Sequence, residues 1–135
     1  MNKIVHLRFA LIFLPLMLIL TACSDNLAPA DVAQRYLELV RDSSYSQAYD
    51  LLSADSQLKI SRNEFVDRMG RARLDATVVR TVIQKVNRDP VIVGKRASVT
   101  YQLEVTLQSG QKLPLYESMV LLQQDNGWRI IWPPL

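Results

Sequence analysis

Ala97-Ser98-Val99-Thr100-Tyr101-Gln102-Leu103-Glu104-Val105-Thr106-Leu107 is the stretch that decides the fold class. Its apolar residues occupy every second position, and polar residues occupy the positions between them. Because side chains alternate between the two faces of a β-strand, this pattern is typical of an antiparallel strand with one buried and one wet face. The stretch therefore predicts a sheet that carries an apolar core on one side.

Further strands are predicted on both sides of this one. The residues from Ala76 to Asn87 are rich in Val, Ile and Thr, which favour strands. Ser109-Gly110 suits a two-residue hairpin turn, and Leu113 to Gln123 would form the returning strand. A turn containing Gly127 would lead into the last strand, Trp128 to Trp132. The sequence thus predicts a four-stranded antiparallel meander.

The chain before the sheet has the periodicity of helices. A first helix is predicted from Ala30 to Asp42, and a second would follow Ser44 as its cap. A third would begin after Ser61, which lies three residues before Glu64 in the spacing of a capping box. Helices first and a sheet afterwards indicate an α+β domain, with three N-terminal helices packed on a curved four-stranded antiparallel sheet. This domain would occupy residues 30–135.

The N-terminus resembles the signal of a bacterial lipoprotein. A basic start is followed by an apolar run from Phe9 to Leu20, which Leu20-Thr21-Ala22-Cys23 closes. The run is shorter than the roughly 20 residues that a membrane-spanning helix needs, and it suits the core of a signal peptide. The alternative is an uncleaved anchor helix that contains an incidental cysteine.

The lipoprotein resemblance implies the processing of this segment. Residues 1–22 would be removed as a signal peptide, and the thiol of Cys23 would receive a lipid. Residues 23–29 would form the lipidated N-terminus and its tether to the domain. Ser24 stands where many lipoproteins of the inner membrane have an aspartate. We therefore expect a lipid-anchored protein of the cell envelope, at the outer membrane if the organism has two membranes.

Three other stretches resemble the non-catalytic N-terminal domain of resistance-type penicillin-binding proteins. They are Tyr45-Ser46-Gln47-Ala48-Tyr49-Asp50-Leu51-Leu52-Ser53, Ile60-Ser61-Arg62-Asn63-Glu64-Phe65 and Gly127-Trp128-Arg129-Ile130-Ile131-Trp132-Pro133. That family has the cone-shaped fold of nuclear-transport-factor-like and cystatin-like domains, in which helices pack into a curved antiparallel sheet. The resemblance implies the same cone here, and its motifs contain no catalytic residue.

Cysteine and histidine, which many catalytic and metal sites use, are scarce in this sequence. Cys23 is the only cysteine, and the only histidine, His6, lies in the predicted signal. The domain would then have no internal disulfide, no histidine as general base, and neither of the two commonest ligands of zinc, iron and copper. Since no motif of clustered carboxylates takes their place, we expect no enzyme activity, no metal and no cofactor.

The predicted mature chain is almost neutral. Removal of Lys3 and Arg8 leaves 14 of the 16 basic side chains beside 13 acidic ones. This balance argues against nucleic acid as a partner, because nucleic acid requires a clustered basic surface. It also argues against an electrostatic attachment to anionic lipid. We expect a binding or scaffolding module held at the membrane by the lipid on Cys23. The alternative is a carrier or sensor of a small apolar ligand in the cone.

Aromatic residues are the candidates for a pocket in the mouth of the cone. Ligand pockets commonly have aromatic walls with a few polar groups. The alternative is that these rings fill the core of a small domain without a disulfide. The candidate residues are Tyr36, Tyr49, Tyr101, Tyr116, Trp128 and Trp132.

The two-residue turn at Ser109-Gly110 also implies a strand register, in which Val99 lies opposite Val120. This register sends an apolar row of the returning strand to the face away from the helices, and exposed apolar rows often mark interaction sites. We expect this row to mediate homodimerisation or docking to another envelope protein. A shift of one residue would exchange the two faces. The row consists of Leu113, Leu115, Met119 and Leu121.

Overall fold

Helices pack on one face of a curved antiparallel sheet in the computed structural model, which describes residues 26–133. The helices in this range are α1 (Pro29–Arg41), α2 (Tyr45–Tyr49), α3 (Ala54–Lys59) and α4 (Arg62–Asp75). The strands are β1 (Val78–Val86), β2 (Val91–Val93), β3 (Arg96–Leu107), β4 (Lys112–Gln124) and β5 (Gly127–Ile130). The predicted α+β class is confirmed. None of the helices between residues 26 and 133 is long and apolar enough to cross a membrane.

The helical half of the domain contains one helix more than the sequence predicted. Serine caps define where two of the helices begin. The Oγ of Ser61 accepts a hydrogen bond from the Glu64 N–H at 3.3 Å at the start of α4, as the capping box predicts. Ser53 caps the additional helix α3 in the same way. Ser44 precedes α2, but its side chain makes no capping hydrogen bond.

The sheet has the strand order β1-β3-β4-β5, and the short strand β2 pairs with the beginning of β3. The outer edge of β5 is occupied by the chain that follows α2. There, the Ile130 N–H donates to the Leu51 carbonyl at 2.8 Å, and the Ser53 N–H donates to the Ile130 carbonyl at 2.8 Å. The opposite edge consists of β1 and β2. Two irregularities in the pairing of β1 with β3 increase the curvature on that side.

The turn between β3 and β4 is longer than predicted. The Leu107 N–H donates to the Gln111 carbonyl at 2.9 Å, so three residues, 108–110, form the turn instead of two. Gly110 ends the turn with a φ of +85°, which glycine adopts without the steric cost that a side chain brings. The extra turn residue shifts β4 by one position against β3.

This shift shows that the predicted placement of the partner row on the outer face is wrong. Val99 lies opposite Met119, which places the apolar row of β4 on the same face as the apolar row of β3. Met119 and Leu121 are 3% and 0% exposed and belong to the core. Leu113 and Leu115 are half-buried on that same face. A change of one residue in register therefore moved the whole row from the outer to the inner face.

The C-terminal end of the described chain is held inside the helical layer. Phe65 of α4 is fully buried, and its ring centroid lies 5.7 Å from that of Tyr49 and 5.4 Å from that of Trp132. The hydroxyl of Ser56 accepts a hydrogen bond from the Trp132 N–H at 2.9 Å and shares another with the Ser53 hydroxyl at 2.8 Å. These contacts tie the end of the sheet to α3 and α4.

Candidate functional site

The inner face of the sheet is fully covered at one end and half-open at the other. Near the beginning of β3, Ala97 and Val99 are 1% and 0% exposed. Farther along, toward the β3–β4 turn, Leu103 and its cross-strand partner Leu115 are only half-buried, and so is Leu113. We call Leu103, Leu113 and Leu115 the open concave surface. Val105 lies opposite Leu113 and is 8% exposed, so the surface is a group of half-buried leucines around a buried valine.

A polar pair lies next to the open concave surface. Tyr101 lies opposite Glu117, and its hydroxyl donates a hydrogen bond to the Glu117 Oε2 at 3.1 Å. Burial raises the pKa of Tyr101 above the usual range of a phenol, and the negative charge and hydrogen bond of Glu117 raise it further. Burial also raises the pKa of Tyr36, which lies close enough for its charge to influence Tyr101. Both phenols therefore stay protonated at neutral pH and act as neutral hydrogen-bonding groups.

Glu117 is a site residue that sequence reasoning missed. The row of every second residue on β4 runs through Leu113, Leu115, Met119 and Leu121, and Glu117 is the one charged member of it. A charge that interrupts an apolar row is a recognisable signal, because an inward-facing carboxylate needs a partner or access to water. Here the Tyr101 hydroxyl is the partner, and the carboxylate remains exposed.

A shallow depression of about 580 Å³ lies beside this pair. It opens mainly on the outer face of the sheet, away from the open concave surface, and Tyr101 and Glu117 lie between the outer-face residues of its wall. The other lining residues are Lys85, Asn87, Thr100, Gln102, Tyr116 and Ser118. Tyr116 itself points to the outer face of the sheet, where the Gln102 Nε2 donates to its hydroxyl at 3.2 Å. The depression is wide open to solvent, so it is a surface for contacts and not an enclosed pocket.

The six predicted pocket residues do not share one cavity. Tyr101 and Tyr116 line the depression, and Tyr116 is 73% exposed. The other four fill or flank the core, as the alternative interpretation of the aromatic residues held. They are Tyr36, Tyr49 and Trp132, each at most 9% exposed, and the half-buried Trp128.

The predicted site of lipid attachment, Cys23, lies outside the described residues. Between residues 26 and 133, no three side chains of the His, Cys, Asp or Glu type are grouped so that they could hold a metal ion. What the described surface offers chemically is apolar contact beside a neutral hydroxyl and one carboxylate.

Comparison with known proteins relates this geometry to a family. A family model described as the NTF2-like N-terminal transpeptidase domain matches residues 28–135. No curated protein sequence matches the chain.

Solved structures show the same fold at low sequence identity. TerC, co-crystallized with polyporic acid, is 14% identical over 77% of this chain and 89% of that chain, with a TM-score of 0.54. Aln2 from a Streptomyces species is 12% identical over 74% of this chain and 80% of that chain, with a TM-score of 0.51. These similarities concern the fold alone.

Proposed function

The chain belongs to the family of NTF2-like N-terminal transpeptidase domains, and we propose that it is a non-catalytic binding or scaffolding module of the cell envelope, anchored by a lipid on Cys23. The family describes an N-terminal domain of transpeptidases, which supports a non-catalytic or ligand-binding module. The observation that carries the binding role is the open concave surface. Leu103, Leu113 and Leu115 present an apolar row there that the helices leave half-covered.

The chemistry of this surface suits binding better than catalysis. Apolar side chains that a partner removes from water favour association, against the cost of the freedom that both partners lose. Tyr101 adds a neutral hydroxyl that can reorient toward a ligand, and Glu117 adds one exposed acceptor. A raised phenol pKa works against the use of Tyr101 as a base, since it disfavours the ionised form at neutral pH. The partner we propose therefore presents an apolar segment with a hydrogen-bonding group near it.

The proposed anchor limits where that partner can be. Pro29, where α1 begins, is the sixth residue after Cys23. At about 3.5 Å per residue, such a tether reaches about 20 Å at most. A lipid on Cys23 would therefore keep the domain close to the membrane surface, and the partner would be another component of the envelope.

Lipidation is tested by metabolic labelling with a fatty-acid probe. We expect the wild-type chain to take up the probe and to sediment with membranes. The variant Cys23→Ala should take up none and should retain residues 1–22, which intact mass measurement detects. A wild-type chain without label in the soluble fraction would refute the anchor.

Binding at the open concave surface is tested by a photo-crosslinking amino acid at Leu115, with the same amino acid at Leu58 as the matched control. Leu58 is 86% exposed on α3, which contacts the chain after β5 through the hydrogen bond of Ser56 with Trp132 and lies outside the surface. We expect a defined protein adduct from position 115 and none from position 58. The double variant Leu103→Ser with Leu113→Ser should abolish an adduct formed from position 115. Equal adducts from positions 115 and 58 would refute the assignment of the binding role to this surface.

A second candidate function is carriage of a small apolar ligand, which the pairing of Tyr101 with Glu117 beside an apolar wall favours. A panel of apolar carboxylic acids and phenols should then include compounds that raise the thermal midpoint, because a ligand that binds only the folded state stabilises it. The increase should disappear in Leu103→Ser. A midpoint that no compound raises, together with an adduct from position 115, favours the protein partner.

A further inference from the structure

β2 and its turn form an exposed apolar hairpin tip. Val91, Ile92 and Val93 are 68%, 53% and 74% exposed, although neighbouring residues of a strand point to opposite faces of the sheet. Both faces of the strand are therefore open to solvent. Gly94 and Lys95 form the turn that follows, and Lys95 and Arg96 are exposed as well. We call residues 91–96 the hairpin tip.

This concentration of apolar side chains is unusual within the described residues. Other large exposed aliphatic residues, such as Leu58 and Leu74, stand singly on the helices. Single exposed apolar residues are ordinary, whereas contiguous ones mark a surface that is covered in the functional state. A strand pairing along the edge of β2 would cover its backbone but would leave both faces of the strand open. An environment that surrounds the tip would cover all three side chains.

The hairpin tip lies beside the beginning of α1. Arg88, three residues before β2, forms an ion pair with Asp31 in the first turn of α1. Leu27, which precedes α1, is itself 44% exposed. The tip therefore lies at the end of the domain where the tether from Cys23 enters, and the tether spans about 20 Å at most.

We propose that the hairpin tip inserts into the phospholipid bilayer in which the lipid of Cys23 is anchored. This proposal rests on the proposed lipidation of Cys23. Gly94 and Lys95 form the turn at the end of the hairpin, and Val93 pairs with Arg96 directly behind it. Ile92 and Val93 enter the boundary between headgroups and acyl chains beside the turn, and Val91 follows about 7 Å behind Val93. The long side chains of Lys95 and Arg96 extend back to the phosphates, to which their charges are attracted. The anchor and the tip are then two contacts that fix the orientation of the domain on the membrane.

The orientation has a geometric consequence for the rest of the domain. β3 begins at Arg96, in the tip, and ends at Leu107. Its 12 residues place the β3–β4 turn about 36 Å from the tip, at about 3.3 Å per residue. The open concave surface lies toward that turn and so faces away from the lipid, where a partner can reach it.

The test uses the full lipidated chain in vesicles, with Ile92→Cys as the probe variant and Leu74→Cys as the matched control. Lipidation consumes the thiol of Cys23, so the introduced cysteine is the reactive thiol for an environment-sensitive fluorophore. Leu74 is also an exposed aliphatic residue. It lies far from the hairpin tip, because the chain that leaves α4 meets the sheet beside the β3–β4 turn, where the Gln108 N–H donates to the Thr77 carbonyl. Vesicles contain phosphatidylcholine, with or without phosphatidylglycerol, and phospholipid brominated near the headgroup end of the acyl chain serves as quencher.

We expect the fluorophore at position 92 to shift to shorter wavelength and to lose most of its emission to the brominated lipid, in both vesicle compositions. The fluorophore at position 74 should do neither and should be quenched by iodide in the water. If the protein floats with the vesicles but iodide quenches position 92 as strongly as position 74, insertion is overturned and the anchor remains supported. If neither variant floats with the vesicles, the anchor and the insertion both fail.

A second copy of the chain is the competing occupant of the tip, and dilution separates it from lipid. When the vesicles far outnumber the protein molecules, almost every vesicle that carries protein carries a single copy, and no second copy is present to cover the tip. Shielding of position 92 that persists at this dilution supports insertion. Shielding that disappears on dilution overturns it in favour of contact between copies.

Discussion

Leu121 and Leu122 are adjacent leucines on β4 that the structure assigns to opposite faces, and their replacement by alanine tests the register directly. Leu121 is fully buried opposite Ala97. Leu122 is half-buried on the outer face, opposite Arg96. Because the change in side chain and in strand propensity is the same at both positions, only the environment differs. The two-residue turn predicted from Ser109-Gly110 would exchange the two roles.

The expected difference follows from burial. Leu→Ala at a fully buried position costs about 2–5 kcal/mol, since it loses the transfer free energy of the side chain and leaves a cavity. At Leu122 the cavity term is absent and part of the side chain is already in water, so we expect about 1 kcal/mol. For a domain of this size, about 1 kcal/mol corresponds to about 4 °C in thermal midpoint. Leu121→Ala should therefore lower the midpoint by about 12 °C, and Leu122→Ala by about 4 °C.

The measurement is urea unfolding, followed by tryptophan fluorescence, of the chain expressed without residues 1–22. The midpoint concentration should fall much farther for Leu121→Ala than for Leu122→Ala, at an unchanged slope. A larger loss for Leu122→Ala would refute the three-residue turn and restore the outward-facing row. Equal small losses would refute the packing of β4 against the helices.

Three further results are expected. Ser56→Ala should cost about 1–3 kcal/mol in urea unfolding, because the buried N–H of Trp132 loses its acceptor, whereas the exposed Ser118→Ala should cost almost nothing. Above about pH 10 a tyrosine ionises in the unfolded chain, while burial keeps Tyr36 of the folded chain protonated. The free energy of unfolding should therefore decrease as the pH rises, and unfolding followed by circular dichroism should show a smaller decrease for Tyr36→Phe. Gly110→Ala should lower the free energy of unfolding by about 1 kcal/mol through its positive φ alone, since no atom lies within 4 Å of the added Cβ. Gly110→Asn should lower it less, because asparagine tolerates a positive φ, and an equal loss for both variants would contradict this explanation.

The alternation of β3 was sufficient to predict the fold class and the buried face of that strand, because a period of two residues has one structural meaning over so long a run. The turn was not predictable to the same accuracy. Both two-residue and three-residue hairpin loops use glycine with a positive φ, so Gly110 is compatible with either. One residue in the loop decided the face of every side chain on β4. The prediction of an outward-facing Met119 and Leu121 failed at that single point.

The candidate site was predictable only in part, for a different reason. The sequence marks Tyr49 and Trp132 as large and aromatic, but burial depends on which helices cover them, and α3 and α4 do so here. The strand β2 was missed because three residues after Pro90 are too short a run to identify. The ion pair of Arg88 with Asp31 joins residues 57 positions apart, so no local pattern predicts it.

The outer edge of β5 is hydrogen-bonded to the segment around Leu51 and Ser53, and this limits how copies of the domain can associate. Growth of a polymer through sheet edges requires two free edges on every copy, one to accept a neighbour and one to offer to the next. The hydrogen bonds of Ile130 already occupy one of them within the chain. β5 pairs with β4 only from Leu121 to Gln124, so the edge of β4 from Leu113 to Met119 has no strand partner among the described residues. Addition of a strand from another copy is therefore blocked at β5 and open at β2 and along this part of β4.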